Sequence, residues 1–179
     1  MYRYLIASAI ALGATTIAPA FATTPAAAAT SQIQAQDVLQ HYSSLVYANY
    51  SDSIAAAKQM QQAIDAFIAN PSQATQDAAR KAWLNAREFY GQTEAFRFYD
   101  GPIDNEDGPE GQINAWPMDE SYVDYVVGDE KAGLINNRSE AITKERLAEL
   151  NEHDGEENIS TCWHAIEFML WGQDLNDNG

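Results

Sequence analysis

Thr161-Cys162-Trp163-His164-Ala165-Ile166-Glu167-Phe168-Met169-Leu170-Trp171 is almost wholly apolar, and its only ionisable groups beside one thiol are His164 and Glu167. The composition predicts a helix spanning about 158–171, with Gly172 as its stop signal. A helix that is apolar all round is buried. Residues three apart share a helical face, so His164 and Glu167 are expected to project together into that interior. A buried carboxylate needs a metal, a cation or several hydrogen bonds. Imidazole and carboxylate side by side form a donor pair that suits a transition metal. The spacing alone leaves other solutions open: the two side chains can satisfy each other, or an arginine from a neighbouring helix can meet Glu167.

Helical periodicity continues outward from this segment. Residues 33–69 read as one helix, with Val38, Tyr42, Leu45, Val46, Ile54, Ala57, Gln61, Ile64 and Ile68 at helical spacing and a break or kink expected at Tyr50-Ser51-Asp52-Ser53. Asn70-Pro71-Ser72 ends it and caps a second helix over 73–98, whose inner face is Ala79, Trp83, Ala86 and Tyr90. So short a connection makes the two an antiparallel hairpin. Residues 100–117 read as a loop rich in glycine, proline and acids, a short helix is expected from Asp119 to Val127, and Thr143 caps another reaching Leu150. No alternating strand pattern and no internal repeat is present. The fold class is all-α, a helical bundle.

A tight metal site needs more than a pair of donors, and a bundle adds them from facing helices. Glu94 is the first candidate, in aromatic company with Phe96, Phe98 and Tyr99; an ion pair with Arg97 is its alternative role. Asp119 is the second, although its position before a helix also makes it an N-cap. Arg87 and Arg97 are the cations that could hold Glu94 or Glu167 without metal. His41 and His153 read as surface or core histidines. Asp174-Leu175-Asn176-Asp177-Asn178-Gly179 opens like a calcium loop but lacks the later ligands that such a loop requires. Cys162 adjoins His164 without sharing its helical face, so a nucleophilic pair is not expected.

A formal net charge of −16 over 179 residues argues against nucleic acid and anionic membrane surfaces as partners. A single cysteine permits no internal disulfide. Arg3, the apolar run Leu5 to Ile17 and the small residues of Ala20-Phe21-Ala22 read as an export signal over 1–22, followed by a Thr/Pro/Ala leader over 23–32 and a helical domain over 33–179.

Trp163-His164-Ala165-Ile166-Glu167-Phe168-Met169-Leu170-Trp171-Gly172-Gln173-Asp174 resembles the signature helix of the imelysin family. Tyr90-Gly91-Gln92-Thr93-Glu94-Ala95-Phe96-Arg97-Phe98-Tyr99, Gly101-Pro102-Ile103-Asp104, Gly108-Pro109-Glu110-Gly111-Gln112-Ile113-Asn114-Ala115-Trp116-Pro117-Met118-Asp119-Glu120 and Gly155-Glu156-Glu157-Asn158 resemble further blocks of that family, in the same order. The family pattern is Gly-x-His-x-x-Glu, and here Cys162 stands at the glycine, an exchange expected to be tolerated if the backbone there is helical. The resemblance implies a periplasmic metal-binding protein of iron uptake, with iron in either oxidation state as the metal, zinc as its competitor, a membrane transport partner and an association with an inner or outer membrane surface. It also supports Glu94, whose place in the helix is acidic in the iron-uptake members. The alternatives it carries are a metallopeptidase, for which no separate base is evident, and the first half of a two-bundle fold that self-associates or needs a separately encoded second half.

Export predicts a mature chain beginning near Thr23. Intact mass of the exported protein checks it; residues 1–22 retained in a membrane fraction would count against cleavage.

Overall fold

Asn70, Pro71 and Ser72 separate two long helices because proline cannot continue a helix at that point and Ser72 starts a new one. The computed structural model describes residues 33–172. Helix α1 runs Ala35–Ala69 and α2 runs Gln73–Thr93. Ser72 accepts a hydrogen bond from the Thr75 backbone N–H while the Thr75 hydroxyl accepts one from Ser72 N, a reciprocal cap that satisfies donors the helix start leaves open. The hairpin is antiparallel, with Asn49 of α1 reaching Gln92 near the far end of α2.

The rest is short. A 3-10 turn, Glu94–Phe96, closes α2; α3 is Glu110–Asn114, α4 is Glu120–Val123, α5 is Lys144–Leu150 and α6 is Trp163–Trp171. The only extended pairing among the described residues is a single bridge between Val126 and Asp129. The chain is all-α. Among the described residues no helix is long and apolar enough to cross a membrane.

All four residues expected on the inner face of α2 are buried. Ala79, Trp83, Ala86 and Tyr90 pack with Ala56 and Met60 of α1 and with Trp163 and Leu170 of α6. Trp83 is the hinge of this cluster. Its indole N–H donates to the Trp163 carbonyl at 3.0 Å, and its ring meets Trp163 and Trp171 edge-on at 6.2 and 5.4 Å. Tyr90 meets Trp163 at 5.4 Å. Alanines at 79 and 86 let the neighbouring helices come close to α2. At the far end, Arg80 Nε and Gln76 Nε2 both donate to the Leu170 carbonyl, so α2 caps the C-terminal end of α6.

Several expectations are corrected. The break at 50–53 is absent: α1 is continuous there, because the Ser51 hydroxyl donates back to the Tyr47 carbonyl and remains compatible with a helix. The stripe assigned to α1 faces the core only in part, through Ala57 and Ile64. Val38, Leu45 and Ile54 are about half exposed, at 54%, 50% and 55%, and the buried seam is Ser53, Ala56 and Met60. For Val38 and Leu45 the reason is length, since α1 has 35 residues against 21 in α2 and overhangs it on the N-terminal side of Asn49. The loop at 100–117 contains α3, and the helix expected to reach Val127 stops at Val123. The signature helix starts at Trp163 rather than 158. Before it, the Asn151 carboxamide oxygen accepts from Ser160 N and Thr161 N, holding an irregular lead-in. Thr143 and Gly172 act as expected. Thr143 accepts from Arg146 N, and Gly172 ends α6 by close approach, since a Cβ there would lie 2.5 Å from the Phe168 carbonyl oxygen.

Helix α6 is only partly covered. Met169 is half exposed, and an apolar groove of about 500 Å³ runs between Ile64, Phe67 and Ile68 of α1, Leu147 of α5 and Ile166 and Met169 of α6.

Trp83→Ala should destabilise the fold by about 3–5 kcal/mol, and Trp83→Phe by about 1–2 kcal/mol through loss of the bond to Trp163 and part of the ring. Urea unfolding of the two variants tests this; equal, sub-kilocalorie losses would show that α6 is held elsewhere.

Candidate metal site

The segment from Ala115 to Glu120 forms one wall of the site and α6 forms the other. Ile159, Cys162 and Ala165 bury a small second core against Ala115 and Met118, which presses this segment onto the start of α6. Backbone and side-chain bonds lock it there: Asp119 N donates to Glu157 O at 2.7 Å, and the Thr161 hydroxyl donates to Gln112 O at 2.9 Å. Trp116, Met118 and Glu120, the last at the start of α4, line the same cavity as His164, Glu167, Phe168 and Trp171. The cavity has a volume of about 380 Å³ and is open to solvent.

His164 Nδ1 lies 2.9 Å from the Ala115 carbonyl oxygen. A carbonyl can only accept, so Nδ1 carries the proton and Nε2 keeps its lone pair. The Trp116 ring sits 4.9 Å from the imidazole and restricts its rotation. A ring nitrogen oriented by a backbone carbonyl is how proteins prepare a histidine ligand. Among the described residues no cation and no hydrogen-bond donor meets the Glu167 side chain.

The pair therefore does share a face, but not the sealed interior expected for it. Both side chains are partly exposed on the cavity wall. Helix α6 is buried on the Trp163 and Leu170 side and opens on the His164 and Glu167 side. The other two candidates lie elsewhere. Glu94 pairs with Arg87 at 3.8 Å, not with Arg97, and lines a separate shallow depression with Glu88 and Gln92. Asp119 takes its capping role, accepting from Ser121 N at 2.9 Å and from the Ser121 hydroxyl at 2.7 Å. Arg97 is committed to Asp104 and Glu110, which ties the acidic loop to the end of α2. His41 is exposed on α1, and His153 contacts Asp154 at the surface. The sequence 174–179 and the leader lie outside the described residues. Among those described, no group of three or more histidine, cysteine, aspartate or glutamate side chains is arranged to hold a metal ion. Glu120, which sequence reasoning passed over in favour of Asp119, is the acid of that block that reaches the cavity.

Cys162 overturns a further expectation. Its backbone is not helical: φ is 99° and ψ is 170°, a region essentially reserved for glycine. This explains why the imelysin pattern carries glycine at that place. Standing outside the helix, Cys162 swings its sulfur to 3.9 Å from His164 Nδ1. Burial raises the thiol's pKa, so it remains protonated and is a poor nucleophile.

The imelysin family model matches residues 46–179, and the chain belongs to the imelysin family. It is also similar to iron-regulated protein A of Synechococcus elongatus, 40% identical over 75 residues. That alignment covers 42% of this chain and 20% of the relative, so the matched part spans about a fifth of the relative's length.

Cys162→Gly removes strain of about 1–3 kcal/mol, against about 1 kcal/mol for the extra freedom of an unfolded glycine. It should melt at or above the parent temperature, whereas Cys162→Val, branched at Cβ, should melt at least about 3 °C lower. Calorimetry decides; a Cys162→Gly protein clearly less stable than Cys162→Val would refute the strain.

Proposed function

We propose that this protein is an exported iron-binding protein of iron acquisition, working in the periplasm, with His164 and Glu167 as its metal donors. The observation that carries this reading is the pair itself. Nδ1 of His164 is held by the Ala115 carbonyl, Nε2 is available, and Glu167 stands without a partner in the same open cavity. One imidazole nitrogen and one carboxylate oxygen fit iron, and they also admit zinc. The name of the iron-regulated relative supports iron over zinc. Glu94 and Asp119 are engaged elsewhere, so the remaining coordination positions fall to solvent, to groups arriving with the metal, or to a partner that adds a second helical bundle. The apolar groove beside α6 is compatible with such a partner or with self-association. Delivery onward requires a membrane transport partner.

A metallopeptidase reading gains one observation, since Glu120 lines the cavity and could act as a base toward a metal-bound water. It needs a third protein ligand, and none joins the pair among the described residues. Metal titration beside a protease assay separates the readings: stabilisation by metal without cleavage is expected here.

His164→Ala and Glu167→Ala should each weaken iron or zinc binding at least about tenfold, and the double variant should add little because the donors act together. Isothermal titration on folded variants tests this. Unchanged affinity in His164→Ala would remove the metal reading.

A further inference from the structure

We propose that the cavity receives iron as a small ferric chelate carrying two singly charged bidentate oxygen donors of the hydroxamate type, rather than as a bare ion. The inference rests on His164 and Glu167 being metal donors, and it concerns what fills the rest of the coordination sphere.

Three features converge on it. The first is room. The cavity holds about 380 Å³, whereas a water occupies about 30 Å³, so the space is that of a small-molecule site. The second is the wall. Trp116 is 68% exposed and Trp171 41% exposed at the edge of the cavity. Exposed indoles offer a bare ion nothing, but they pack well against flat, conjugated organic groups. The third is charge and count. Glu120 and Glu167 line the cavity with no lysine or arginine among the lining residues, in a chain of formal charge −16. Anionic complexes, such as ferric catecholates or citrates, are repelled by such a field. A ferric ion bound by two singly charged bidentate donors keeps one positive charge and leaves two of its octahedral positions to water. His164 Nε2 and a Glu167 oxygen are the two donors that the proposed function places on the metal, and Glu120 lines the cavity as a further negative charge. Docking is a ligand exchange: two coordinated waters leave, the imidazole nitrogen and carboxylate oxygen enter, and iron stays ferric.

The test titrates the full chain with ferric acetohydroxamate at one iron to two hydroxamates, with the saturated one-to-three complex, with a ferric catecholate, and with ferrous and zinc ions alone. Binding is read by the charge-transfer absorption of the complexes, and by calorimetry for the bare ions. The one-to-two complex should bind at least tenfold more tightly than the saturated complex or the catecholate. Trp116→Ala should weaken chelate binding at least tenfold more than it weakens bare-ion binding, the smaller loss reporting its contact with the His164 ring, and Trp116→Phe should restore both. Trp116 is largely exposed, and matched melting curves confirm that its variants are folded. If the one-to-two complex binds no better than the saturated one, or Trp116→Ala leaves it unchanged while His164→Ala abolishes bare-ion binding, the chelate inference is wrong and the metal site stands. If His164→Ala alters neither ion nor chelate binding, the metal site itself is wrong.

Discussion

The bond from the Trp83 indole to the Trp163 carbonyl places the helix that bears the site. Helix α6 has only nine residues, too few to be stable alone. Its position comes from packing of Trp163 and Leu170 onto the α1–α2 hairpin and from α2 side chains that satisfy the Leu170 carbonyl. Because one side of α6 is committed to that hairpin, the side bearing His164 and Glu167 is turned away from the main core.

The second wall follows from the first. Once the start of α6 is placed, Ile159, Cys162 and Ala165 present an apolar surface that Ala115 and Met118 cover. This brings the Ala115 carbonyl to His164 Nδ1 and the Trp116 ring beside the imidazole. The histidine is oriented by main chain and packing, without an acidic partner that would compete for a metal. The same arrangement leaves Glu167 partly exposed on the cavity wall rather than sealed in the core.

Strain at Cys162 belongs to this geometry. The chain must turn sharply out of the Asn151-held lead-in to start α6 with His164 facing the cavity, and it does so through a glycine-like conformation in a residue that has a side chain. The buried thiol remains protonated beside the imidazole and leaves the cavity to the nitrogen and oxygen donors.

The sequence alone determined the helical class, the Ser72 and Thr143 caps, the inner face of α2 and the His164–Glu167 pair. Each rests on local periodicity, on capping chemistry or on residues within a turn of each other. The family blocks were legible for the same reason, since they are short contiguous stretches. Only the tertiary structure decided which acids reach the site. Glu94 is drawn to Arg87, Asp119 is consumed by Ser121, and Glu120, one residue on, lines the cavity. It also decided that α6 is open on the side bearing His164 and Glu167 as well as at Met169, and that the most buried residues of α1 are Ser53, Ala56 and Met60, with Ile64 and Phe67 partly buried beside them. Periodicity shows which residues share a face of a helix, but which face is buried depends on the length and position of the partner helices, and these are set by contacts far apart in the chain.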